Sequence, residues 1–133
     1  MAYGFGTTVD LDVPAAVERV TAALTEQGFG VLTRIDVHDV LRAKIGADIE
    51  PYVILGACSP ELAKRAIEEE PEVGLLLPCN VLVRGVRGET QVSFIDPAAL
   101  GALADNAALE VPMREARERL QAALASLRGS AVE

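Results

Sequence analysis

The sequence holds no tryptophan, and aromatic residues make up only 4% of its 133 positions. A core built from this chain must therefore be aliphatic, and the 50% hydrophobic content, dominated by Ala, Val and Leu, is enough for one. Basic residues are also scarce: twelve Lys and Arg face twenty Asp and Glu, for a net charge of −8. Phosphate contacts need a basic footprint, so nucleic acid is excluded as a partner class, and an anionic membrane surface is disfavoured for the same reason. Two cysteines are too few for a disulfide framework. No apolar run approaches the length needed to span a bilayer. The opening MAYGFGTTVD has no basic segment followed by an apolar run, so no signal peptide is read from it. These absences together predict a cytoplasmic chain with reduced thiols, one domain over residues 1–133, and partners that are neutral or cationic.

What is present reads as alternating strands and helices. Tyr3 to Leu11 alternates and predicts a first strand, and Asp12 caps a helix that has Pro14 in its first turn. Val13, Val17, Val20 and Leu24 share one face of that helix, and Gly28 closes it. Val31 to Val37 predicts a second strand. A short helix from Asp36 or Asp39 runs through Leu41 and Ile45 to Gly46. Tyr52 to Ala57 is apolar with little alternation, which predicts a strand buried on both faces. Ser59 and Pro60 open the next helix as cap and first residue, with Leu62, Ala66 and Ile67 as its inward stripe and Pro71 at its end. Asn80 to Val86 and Thr90 to Ile95 flank Arg87-Gly88-Glu89 as a hairpin. Helical segments follow from Pro97 to about Leu109 and over 112–127. The face Met113, Ala116, Leu120, Leu124, Leu127 is the most regular in the chain. A core over 3–109 and a frayed tail over 128–133 complete the expected plan. Strands separated by helices, then a hairpin, predict an α+β fold: an antiparallel or mixed sheet with helices on one face.

The two cysteines stand at the edges of apolar runs, in YVILGACSP (Tyr52 to Pro60) and GLLLPCNVLV (Gly74 to Val83). With GFGVLTRIDV and LRAKIG these blocks resemble the DUF302 family, a bacterial and archaeal family of unestablished biochemical role, over Val13 to Asp96. The family typically carries Asn where this chain has Ser59, and both residues cap helices. The resemblance implies a curved antiparallel sheet with helices on one face, similar in outline to one half of the TATA-box-binding protein (TBP-like), and a homodimer. A DNA role does not follow, because shape does not carry function and the net charge opposes it.

Two function classes compete. In the first, the domain binds a small ligand or a partner without catalysis and its motifs mainly build the fold. In the second, Cys58 is a reactive thiol and Cys79 its partner in metal binding or redox exchange. Cys58 before a helix N-terminus would favour a thiolate, whereas free cysteines are more often small core residues. A metal site would draw on Cys58, Cys79 and His38, but the paired spacing of structural zinc is missing, so no metal and no cofactor is assigned. An anion site at Ser59 competes with an ordinary capped helix. Gly4-Phe5-Gly6 and Gly28-Phe29-Gly30 lack the third glycine of a dinucleotide fingerprint. Among the polar residues of the motif blocks, Asp36, Arg42, Lys44, Tyr52 and Asn80 can border a small concave site, and they are weighed against a plain solvated face. The candidate ligand-binding set is Cys58, Ser59, Cys79, Asn80, Lys44 and Tyr52.

Overall fold

A computed structural model describes residues 2–131, with side chains described as far as residue 128. The strands are β1 (Gly4–Val9), β2 (Gly30–Asp36), β3 (Tyr52–Cys58), β4 (Cys79–Val86) and β5 (Glu89–Ile95). The α-helices are α1 (Val13–Glu26), α2 (Val37–Ile45), α3 (Pro60–Glu69), α4 (Pro97–Ala104) and α5 (Glu110–Ala131). Short 3-10 turns cover Pro71–Leu76 and Ala107–Leu109.

The strands form one open sheet in the order β1-β5-β4-β3-β2, and every neighbouring pair is antiparallel. Helix α1 leaves one edge strand and returns the chain to the other. Asp12 starts it by accepting the Ala15 N–H at 2.8 Å, and Gly28, at φ +81°, turns the chain out of it. Val13, Val17, Val20 and Leu24 are all buried, as their spacing predicts. The β4–β5 hairpin closes on Arg87-Gly88, both with positive φ (52° and 84°), the conformation that matches the right-handed twist of the flanking strands.

One face of the sheet is covered and the other is not. Val53, Leu55, Ala57, Val81, Val83, Val92 and Phe94 are buried beneath α1 and α5, and Phe94 stacks on Phe5 at 6.0 Å between ring centroids. The alternate positions, Tyr52, Ile54, Leu82, Arg84, Gln91 and Ser93, are half-buried on the open side. This corrects the reading of β3 as a strand buried on both faces over its first half, where Tyr52 to Leu55 alternate in burial and Ile54 lies on the uncovered side; Leu55, Gly56 and Ala57 are buried in succession.

The C-terminal helix also departs from expectation. It begins at Glu110, before Pro112, and continues to Ala131, so the backbone expected to fray from 128 is helical as far as it is described; residues 132–133 lie outside the described residues. Met113, Ala116, Leu120, Leu124 and Leu127 are buried, as their spacing predicts. The i,i+4 spacing of Glu115 and Arg119 on α5 allows a pair within the helix, but each takes a tertiary partner. Glu115 pairs with Arg65 of α3 at 2.9 Å, and Arg119 turns to Ser59. Ile67, expected inward on α3, is 48% exposed, while Leu62 and Ala66 are buried.

Candidate functional site

Strands β3 and β4 are neighbours, with Ala57 directly opposite Cys79. Cys58 closes β3 one step beyond that pair, and Cys79 opens β4. Both cysteines therefore reach the same end of the sheet, and both border one cavity of about 340 Å³. Its walls come from four places: Phe29, Leu32 and Thr33 at the start of β2; Leu62, Ala66 and Ile67 on α3; Leu77 and Pro78 after the 3-10 turn; and Pro112, Met113 and Ala116 on α5. Among the described residues no ionised side chain lines it. Gly56 keeps this corner tight, because a β-carbon there would stand 2.2 Å from Thr33 Oγ1 and 2.8 Å from Pro78 Cγ.

The electrostatics of the thiols follow from the apolar walls. Burial pushes the Cys58 thiol up from its ordinary value. Burial, with a smaller contribution from the neighbouring Cys58, pushes Cys79 up to about 11. This direction is opposite to the thiolate that the helix N-terminus was expected to favour at Cys58. Both cysteines are free.

Ser59 is buried at the N-cap position of α3, yet its hydroxyl makes no cap bond. It accepts instead from Arg119 Nη1 at 3.3 Å, which ties α5 to the cysteine corner. The remaining candidates lie elsewhere. His38 is half-buried on α2, where Nδ1 accepts the Tyr52 N–H at 3.0 Å. It thus sits at the opposite end of β3 from Cys58, and the three weak metal candidates do not converge. Among the described residues no group of three or more His, Cys, Asp or Glu side chains could hold a metal. Lys44 is exposed on α2 and borders none of the cavities described, and Arg42 is ion-paired with Asp48 at 3.0 Å. Asp36 pairs with Arg34 at 3.1 Å. Tyr52 and Asn80 lie on the uncovered face of the sheet, opposite Arg84 and Gly56 respectively, and border a second hollow of about 530 Å³ without being neighbours. Asn80 lies within β4, in keeping with the strand expected from it.

Sequence reading missed Met113 and Pro112 as wall residues and Arg84, Gln91 and Ser93 as residues of the open face. Alternation along β4 and β5 was the signal available for the last three. Nothing local could place α5 against the cysteines.

Two comparisons decide the family. The family described as "Domain of unknown function DUF302" matches residues 5–127, from β1 into the last turns of α5. The chain belongs to the DUF302 family. This DUF302 domain is also similar to the crystal structure of an uncharacterized conserved DUF302 protein from Bacillus stearothermophilus. The TM-score is 0.89 at 30% sequence identity, over 96% of this chain and 99% of that one. No curated protein matches the chain. Among the described residues no helix is long and apolar enough to cross a membrane.

Proposed function

We propose that this DUF302 domain is a non-catalytic binding domain that takes up a small, uncharged, apolar molecule in the cavity beside Cys58 and Cys79. The observation that carries the reading is the wall chemistry. A hollow of about 340 Å³ with no ionised side chain falls within the size of ordinary ligand pockets, roughly 300–1,000 Å³. The raised thiols support binding over thiol chemistry, since a nucleophile or redox centre needs thiolate at working pH. The proposal keeps the protein in the cytoplasm, where free thiols persist.

The test uses N-phenyl-1-naphthylamine, an uncharged apolar fluorophore. Saturable fluorescence enhancement is expected for the parent chain and for Cys58→Ala. Ala63→Phe, which fills the cavity from α3, is expected to weaken binding by about tenfold or more. Equal binding by Ala63→Phe would refute the site. Loss of binding in Cys58→Ala would return the function to the thiols.

A second reading concerns assembly. We propose that the domain forms a homodimer through the β2 edge. Strand β2 pairs only with β3, and it carries the exposed Leu32 and Ile35, continued by Val40, Ile45 and Ile49 in and beyond α2. An unpaired strand edge with apolar side chains is a template for another strand, and a second copy supplies the same one.

A further inference from the structure

The uncovered sheet face carries a cation that the fold does not neutralise. Tyr52, Arg84 and Gln91 stand in one row across β3, β4 and β5, in direct register, and Ile54, Leu82 and Ser93 form the row beside it. These residues border the hollow of about 530 Å³. Among the described residues Arg84 is the only charged one in its walls. Five of the chain's cations, Arg34, Arg42, Lys64, Arg65 and Arg117, hold carboxylates. Arg84 is half-buried, and among the described residues no carboxylate lies within ion-pair distance of it. Its Nη2 donates to Gln91 Oε1 at 2.9 Å, which fixes the guanidinium in place but brings no negative charge.

We propose that this face binds a small organic carboxylate with an apolar body. The guanidinium is the head-group anchor. A planar guanidinium matches a carboxylate through two parallel hydrogen bonds, and one unpaired Arg suits one such group. Holding the fork with Gln91 reduces the ordering needed on binding. Ile54 and Leu82 form an apolar floor beside the anchor, with the Tyr52 ring at the row's end. The net charge of −8 repels anions in general, so a lone cation on a neutral, partly apolar patch is a local exception and not part of a basic field. This site is separate from the thiol cavity, which lies at the β3–α3 corner, and it does not depend on the function proposed there.

The test follows backbone amide NMR shifts as benzoate is added to the intact chain, with acetate and inorganic phosphate as comparisons. Saturable shifts centred on residues 52, 82, 84 and 91 are expected with benzoate, and weaker responses with acetate and phosphate. Arg84→Met is expected to weaken benzoate binding by about tenfold or more, and Arg84→Lys by less, because charge survives without the fork. Leu82→Glu, on the uncovered face, is a second route to the same loss should Arg84→Met fail to fold. Ala63→Phe should leave benzoate binding unchanged. The absence of saturable shifts with benzoate would overturn the proposal. So would benzoate binding unaltered in the folded Arg84 or Leu82 variants, or phosphate binding as tightly as benzoate.

Discussion

Cys79 shows how one residue answers to its surroundings. In the sequence it is a thiol beside a proline; in the fold it is 6% exposed against Ala57 and the α3–α5 wall. The fold holds it neutral, while the unfolded chain ionises at the ordinary thiol range. The stabilisation is therefore complete below that range and is lost as pH rises through it toward about 11. Urea unfolding at a series of pH values should show stability falling on the alkaline side, and Cys79→Ala should show a shallower fall. Matching slopes in the two proteins would count against a buried neutral thiol. Ser59 makes the same point from the polar side. It sits where a cap belongs, but its hydroxyl accepts from Arg119, a residue far away in sequence and close in space.

At the scale of elements, local chemistry set most of the boundaries. Asp12 and Gly28 bracket α1, and Gly46, at φ +67°, ends α2. The β4–β5 hairpin is the place where local chemistry is imperfect. Its turn needs positive φ at both central positions, and Arg87 occupies the first of them at φ 52°. An L-residue there is strained, whereas Asn tolerates the left-handed region and Asn-Gly is the preferred pair. Arg87→Asn should stabilise the domain by up to about 1 kcal/mol, read as a higher midpoint in thermal unfolding followed by circular dichroism. The Arg87 N–H that donates to Glu50 Oε1 at 2.9 Å is backbone and survives the change. An unchanged or lower midpoint would show that the Arg side chain contributes something the turn geometry does not reveal.

For the molecule as a whole, the sheet has two edges with different fates. Helix α5 packs along β1, but β2 borders only β3, and Leu32 on it is 67% exposed. If a second copy covers this edge, light scattering on a sizing column should give twice the chain mass of 14.0 kDa. Leu32→Lys with Ile35→Lys should halve the measured mass while leaving the circular dichroism spectrum intact, since charge on an edge strand opposes pairing without entering the core. A monomer in the parent protein, or a dimer that survives the double substitution, would remove the β2 edge as the interface.

The periodicity of Val13 to Leu24 and of Met113 to Leu127, the cap residues, and the apolar runs ending at the two cysteines were legible because short-range sterics and side-chain spacing determine them. The α+β class and the DUF302 membership followed from the same local blocks. The position of α5 was settled only by tertiary packing: Glu115 found Arg65 on α3, Arg119 found Ser59 beside β3 and Arg117 found Asp96. The same holds for the cavity walls, which gather side chains from four separated segments, and for the split between His38 and the cysteines. Alternation along the strands also put Tyr52 and Asn80 on the open face, opposite to the one that holds Cys79. Burial and long-range register arise from the whole chain at once, and so the thiols' loss of water, which raises both of them, becomes visible only in three dimensions.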